Sequence, residues 1–318
     1  MRIGLIDVDG HNFPNIPLMK LSAWHKQQGD SVEWYEPLFH GSGEPFDRVY
    51  MSKVFSEEYT PDYPYYVNAN EVIKGGSGYC IILKNGKEVF DKSKDIELPY
   101  EVENIYPDYS IYYDKIPEVR NTAYGFLTRG CPRGCSFCHV ADKEGKCSVK
   151  ASDLNMFWNG QKNIVLLDPN ITACRWCEQL FQQLIDSKAW IDFSQGLDIR
   201  MMTEKKTEML MQMKIRNIHF AWDKYEDKDI IVPKFKTFKE LTGLDKRKLT
   251  VYMLTNFDTT HEQDLDRVYT LRDLGYWPYV MVYNKKSLPQ GHITRRLQRW
   301  VNMRAVFETT PRFEDYKA

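Results

Sequence analysis

The chain has 318 residues, 42% of them hydrophobic and 27% charged, with a formal net charge of −1. No apolar run is long enough to cross a bilayer and the start carries no secretory leader, so the expectation is a soluble cytoplasmic protein without a membrane partner. At this length one large domain or two medium ones bury a substantial core, and the seven cysteines are not needed as disulfide staples.

Charge divides the sequence. Residues 1–120 hold 20 Asp and Glu against 12 Lys and Arg, a net of −8, which leaves +7 for the remainder. Two domains of different character are therefore expected, and the basic one falls short of the footprint of a dedicated nucleic-acid binder.

The opening "MRIGLIDVDGHNFPNIPLMKLSAWHKQQGDSVEWYEPL" predicts strand, loop, helix, Gly-ended turn and strand. Ile3, Leu5 and Ile6 precede the loop, and Leu18, Leu21 and Trp24 recur at helical spacing before Gly29. That is one βαβ unit, the usual start of a parallel sheet. "RVYMSKVF" and "NEVIKGGSGYCIIL" predict further strands, and residues 91–122, rich in Pro, Tyr, Asp and Glu, read as a connector.

From Tyr124 the pattern alternates. Predicted strands are "AYGFLT", "NIVLLD", "WIDFSQ", "IRNIHFAW", "LTVYMLTNF" and "WPYVMVYN", with helices near 152–159, 173–187, 203–213, 234–242 and 261–274. Thr260 with Gln263 marks the last helix by a capping-box pattern, and Gly275 closes it. Six β-α repeats fit an incomplete parallel barrel, whose site would lie in the loops after the strands. The resulting divisions are an α/β domain over 1–90, the connector over 91–122, the partial (β/α)6 barrel over 123–285 and a helical extension over 286–318.

The chemistry concentrates in "YGFLTRGCPRGCSFCHVADKEGKC", where Cys131, Cys135 and Cys138 are separated by three and then two residues. A structural zinc site wants four ligands, and His139, adjacent to Cys138, is poorly placed to be the fourth. A cubane iron–sulfur cluster held by only three local thiolates keeps one iron open for a small chelating molecule. Glycines nearby let the backbone approach such a molecule closely.

"CPRGCSFC", with aromatic Phe137 before the third cysteine, resembles the Cys-x3-Cys-x2-Cys motif of the radical S-adenosylmethionine (radical SAM) superfamily, and "TRGC" resembles the form of its cobalamin-binding and methylthiotransferase branches. The resemblance implies a [4Fe–4S] cluster on Cys131, Cys135 and Cys138 whose open iron is chelated by the amino and carboxylate groups of S-adenosylmethionine (SAM). Reductive cleavage of SAM then gives methionine and a 5′-deoxyadenosyl radical that abstracts hydrogen from a substrate. By the same resemblance Asp168 and Asn170 end the second strand near the methionyl group, and Gln195 and Arg200 of "FSQGLDIR" point toward cofactor or substrate. Asp223 becomes a ribose or carboxylate contact, while Thr255 and Asn256 end the fifth strand and Tyr283 and Asn284 the sixth. Each has an alternative as an ordinary helix cap or turn residue. A low-potential electron donor such as flavodoxin or ferredoxin is also implied.

The front domain resembles cobalamin-binding domains of flavodoxin-like type, where Asp-x-His-x-x-Gly supplies a histidine to cobalt. Here "DGHNFP" keeps Asp9 and His11 but puts Pro14 at the glycine, and "KGGSGY", with Gly75 and Gly76, resembles the later glycine loop. Bound cobalamin is not favoured; were it present, methyl transfer would lead. Cys174 and Cys177, with Cys147 and Cys80, would hold an auxiliary cluster or serve as core thiols, the second being favoured. "RRLQRWVNMR" interleaves Arg295, Arg296, Arg299 and Arg304 with Trp300, and reads as a helix packing Leu297, Trp300 and Val301 on the barrel rather than as a nucleic-acid surface. The expected substrate is a peptide or small metabolite. The competing classes are a zinc or iron–sulfur redox sensor and an inactive descendant of the superfamily.

Overall fold

A computed structural model describes residues 1–10, 12–85 and 87–317. The protein is mixed α/β with two parallel sheets, and its packing divides it into two units. The first comprises Met1–Phe126, Gly130–Cys147 and Ala151–Ile164; the second comprises Leu127–Arg129, Ser148–Lys150 and Val165–Ala318.

In the first unit, β1 (Arg2–Asp7), β2 (Ser31–Trp34), β3 (Phe46–Ser52) and β4 (Ala69–Gly75) form a parallel sheet in the order β2-β1-β3-β4. The helix Ile16–Gln27 makes the crossover from β1 to β2. It starts where the Asn15 side chain accepts the Leu18 N–H at 3.2 Å, and it ends at Gly29, whose φ of +82° suits glycine. Leu18 and Leu21 on this helix cluster with Ile3 and Leu5 of β1, so the helical and strand periodicities meet in one core. Residues 53–68, between β3 and β4, contain no helix, so this sheet lacks the full set of crossover helices of a doubly wound domain. A hairpin of β5 (Ile81–Lys84) and β6 (Lys87–Phe90) follows.

Residues 91–122 pack into this unit. Val102 joins the core, and buried Tyr112 donates to Asp7 Oδ2 at 2.6 Å. Buried Tyr109 accepts the Tyr124 N–H at 2.9 Å and donates to the Phe157 carbonyl at 2.8 Å, tying the segment to β7 (Thr122–Gly125). The helix expected near 152–159 is only a single 3-10 turn, Leu154–Met156. Leu154 and Phe157 are both buried, and a Cβ on Gly125 would come within 2.3 Å of the Phe157 ring. Packing against that bare glycine, followed by Gly160 at φ +85°, stops the turn from continuing.

The short antiparallel pair of β8 (Thr128–Arg129) and β9 (Val149–Lys150) lies in the second unit. The larger sheet takes six strands in simple chain order: β7, β10 (Asn163–Leu166), β11 (Trp190–Leu197), β12 (Lys214–Ala221), β13 (Leu249–Thr255) and β14 (Trp277–Val282). β11 to β14 pair in parallel, and the helices Cys177–Ser187, Glu204–Met211, Lys228–Thr242 and His261–Asp273 make the connections, as the alternation of patterns predicts. The third of these begins at Lys228, earlier than expected, because Ile231, Phe235 and Phe238 form one buried stripe that runs across Pro233. The capping box on Thr260 and Gln263 is present.

The C-terminal helix Ile293–Asn302 buries Leu297, Trp300 and Val301. Trp300 is fully buried beside Phe307 and Phe313 and donates its indole N–H to the Thr310 carbonyl at 2.9 Å, which leaves its ring no open face for stacking on a base. Among the described residues no helix is long and apolar enough to cross a membrane.

Candidate functional site

The loop Gly130–Cys147 belongs to the first unit. Its shape follows from its glycines. Gly130 has φ +82°, and a Cβ there would lie 2.2 Å from the Cys147 carbonyl oxygen, so only glycine lets the two ends of the loop close on each other. The Gly130 N–H donates to Glu144 Oε2 at 3.0 Å and the Cys131 N–H to the Gly145 carbonyl at 3.2 Å, fastening the closure. Between the first two cysteines Gly134 takes φ +55°, and the Cys138 N–H donates to the Cys135 carbonyl at 3.0 Å, forming a tight turn around Phe137. Cys131, Cys135, Phe137 and Cys138 are all partly exposed, and Cys147 is exposed.

No three His, Cys, Asp or Glu side chains among the described residues converge closely enough to surround one metal ion. Three soft, partly exposed sulfurs on a closed loop are the donor type that an iron–sulfur cluster takes.

In the second unit the polar strand ends hold each other. Asp168, 3% exposed, accepts the Leu127 and Thr128 backbone N–H groups and the Thr128 hydroxyl, the last at 2.6 Å. Burial pushes its carboxyl up to about 6, against the pull of those donors and of Arg129. Thr128 precedes Cys131 by three residues, so Asp168 fixes the chain just before the cysteine loop. Asn170 accepts from Thr172 Oγ1 at 2.9 Å and from the Ala173 N–H at 3.2 Å, which is the geometry of a turn cap. Asp198 joins it: the Asn170 amide lies 3.5 Å from Asp198 Oδ2, and Arg200 bonds Asp198 at 2.8 Å and Asp227 at 2.6 Å. Gln195 is exposed on a bulge of β11.

The next strand ends are organised by a residue that the sequence analysis did not single out. Arg267, fully buried, donates to the carbonyls of Trp222 (2.6 Å), Asp223 (2.9 Å) and Leu254 (2.9 Å), and pairs with buried Asp264. Asp223 accepts the Leu254 N–H at 2.9 Å; burial raises its pKa while that bond, Arg267 and Arg200 pull it back. Thr255 donates to the Met281 carbonyl at 3.0 Å, and Asn256, at φ +60°, donates to the Tyr283 carbonyl at 2.8 Å. The Tyr283 N–H returns to the Thr255 carbonyl at 3.0 Å, and its ring packs on Phe257. Asn284, at φ +45°, begins the next 3-10 turn. Asp264 and Arg267 stand three apart on a helix, so the pair is visible in the sequence, but its burial is not.

At the strand ends of the smaller sheet, His11 lies outside the described residues. Gly76 has φ +98°, and a Cβ there would sit 2.4 Å from the Lys53 carbonyl oxygen. The Gly78 N–H donates to that same carbonyl at 2.9 Å, and the Lys53 N–H donates to the Gly75 carbonyl at 3.0 Å. Asp9 accepts the backbone N–H groups of Val54 and Phe55. These glycines thus serve backbone-to-backbone approach. Cys80, Cys174 and Cys177 are buried, and burial pushes the Cys177 thiol up to about 12, as expected of a protonated core thiol.

No family model and no curated protein matches the sequence. Among solved structures the chain is similar to Streptococcus suis SuiB bound to S-adenosylmethionine, at TM-score 0.42 and 13% identity, covering 69% of this chain and 55% of that one. It is also similar to Streptococcus suis SuiB bound to precursor peptide SuiA, at TM-score 0.40 and 11% identity, covering 70% of this chain and 55% of that one. The chain spans about half the length of the structures it matches. A likeness this distant carries no information on chemistry.

Proposed function

We propose that this chain is a radical SAM enzyme that acts on a peptide or small molecule. The observation that supports the reading is the cysteine loop: three thiols at x3 and x2 spacing, partly exposed, on a backbone closed by left-handed Gly130 and Gly134. In this reading Cys131, Cys135 and Cys138 hold a [4Fe–4S] cluster, and SAM chelates the open iron. The cluster, when bound, supplies the electron that cleaves SAM to methionine and a 5′-deoxyadenosyl radical.

The protein's own contribution is placement. Phe137 lies in the turn between the second and third cysteines, and Asp168 holds Leu127 and Thr128 so that the chain enters the loop in one conformation. Asn170, Arg200 and Asp223 have roles as positioning residues, since they bond neighbouring protein groups. Gln195, Thr255, Asn256 and Tyr283 are further proposed SAM contacts. Residues 123–285 form the catalytic domain, 1–90 the front domain of cobalamin-binding type, 91–122 the connector and 286–318 the extension. Closure of Gly75 to Gly78 on residues 53–55 supports a front domain that has kept the sheet without the vitamin. A flavodoxin or ferredoxin supplies the electron.

The test is anaerobic reconstitution with iron and sulfide, reduction in the presence of SAM, and mass-spectrometric detection of 5′-deoxyadenosine. Accumulation that requires all three cysteines is the expected result. Zinc retained in place of iron would instead favour a sensor.

A further inference from the structure

β11 to β14 bury one face under the helices, and their second face is polar, aromatic and partly exposed. Ile191 and Phe193 of β11 are buried with Ile218 and Phe220 of β12, whereas Asp192, Ser194, Asn217 and His219 lie on the opposite side. A register shift between Ile191 and Asp192 sets Asp192 opposite Asn217 rather than one residue earlier, and Asn217 Nδ2 donates to Asp192 Oδ2 at 2.7 Å.

The remaining acceptors on this face are unmet. Asp192 Oδ1 is buried without a hydrogen-bond partner. Its nearest ionisable neighbour is His219 Nδ1 at 3.8 Å, too long for a hydrogen bond, and that nitrogen already meets the Phe193 carbonyl at 3.0 Å. The carbonyl can only accept, so Nδ1 carries the proton, and in the neutral ring Nε2 is then the acceptor. The His219 ring is held by stacking on Tyr252, with centroids 5.0 Å apart and planes 6° from parallel. Tyr252 in turn donates to the Ser194 carbonyl at 3.2 Å, and Tyr279, 41% exposed, meets it edge-on at 5.7 Å. No Lys or Arg pairs with Asp192 among the described residues.

A half-buried carboxylate with one unpaired oxygen, an imidazole acceptor locked in orientation and electron-rich phenol rings all call for a donor-rich cation. We infer that this face binds the ammonium or guanidinium group of a basic substrate, with His219 Nε2 accepting its N–H, Tyr279 offering a ring face and the Asp192 charge supplying the field. The inference rests on the proposed function only for the word substrate; the binding site itself needs neither iron nor SAM.

The test uses the full chain and three probes, N-acetyl-lysine methylamide, N-acetyl-arginine methylamide and the neutral N-acetyl-norleucine methylamide, followed by calorimetry or ligand-detected NMR. A basic probe should bind about tenfold or more tighter than the neutral one, as expected when a buried charge gains its partner. Asp192→Asn, and His219→Phe, which keeps the ring stack, should each lower that affinity about tenfold while circular dichroism and cooperative unfolding show the fold intact. Equal binding of the norleucine probe, unchanged affinity in both variants, or no binding by any probe would overturn the inference. Failure of SAM cleavage with the binding pattern intact would count against the enzyme class alone.

Discussion

The strand ends of the smaller sheet and the polar face of the larger one treat their hydrogen-bonding groups in opposite ways. Beyond the smaller sheet, loops close on one another: Asp9 takes the Val54 and Phe55 N–H groups, Gly78 reaches the Lys53 carbonyl, and the buried Lys53 ammonium pairs with Glu57 at 2.6 Å. The polar face of the larger sheet instead keeps a carboxylate oxygen without a partner and an imidazole nitrogen on offer. Glycines and acids occur in both. What separates a closed end from a receptive face is the accounting of hydrogen-bond partners, because a buried polar group left unmet costs free energy that a ligand can return.

The largest effect expected belongs to the cysteine loop. Cys135→Ala should reduce iron incorporation and 5′-deoxyadenosine formation to background while circular dichroism keeps the wild-type helix and strand content. A fully metallated variant would remove this loop from the account.

Next comes the pin of the larger sheet. Arg267→Ala leaves Asp264 buried without its cation and unties the carbonyls of Trp222, Asp223 and Leu254, so chemical denaturation should show a loss of about 3–5 kcal/mol. A loss below 1 kcal/mol would mean that the strand ends are held by something else.

Asp168 gives a pH signature. Its folded carboxyl titrates near 6, above the usual 3.8, so protonation favours the folded state and stability falls as pH rises from about 4 through about 6. The fall attributable to this residue is about 3 kcal/mol, and Asp168→Asn should remove it from the pH profile of unfolding. A variant with the same slope as wild type would show that the Leu127 and Thr128 donors already compensate its burial.

The smallest effect sharpens the closed end. Gly76→Ala places a methyl 2.4 Å from the Lys53 carbonyl oxygen at a positive φ and should destabilise the first unit by about 1–3 kcal/mol. An unaffected melting temperature would mean that this loop is looser than its hydrogen bonds imply, reopening the space to a ligand.

Much of this was legible in the sequence. Strand-like runs alternating with helix-like ones located all six strands of the larger sheet, and Thr260 with Gln263 announced its helix start. The stretch 152–159 misled because Leu154 and Phe157 have helical spacing but are buried for another reason, the bare surface of Gly125. Arg267 was not singled out, since a sequence does not say which helix face meets the strand ends. Asp192 and His219 were hidden further, because the polar positions of a half-buried strand look like surface until the register shift beside Asp192 sets it against Asn217. Spacing along one segment is readable; pairing between segments needs the fold.

The most direct test of the central claim is the electron paramagnetic resonance spectrum of the anaerobically reconstituted, reduced protein before and after addition of SAM. A cluster held by Cys131, Cys135 and Cys138 alone keeps one iron open, so SAM should change the spectrum, and replacing any one of the three cysteines should abolish the signal. A reduced cluster whose spectrum is indifferent to SAM would contradict the account.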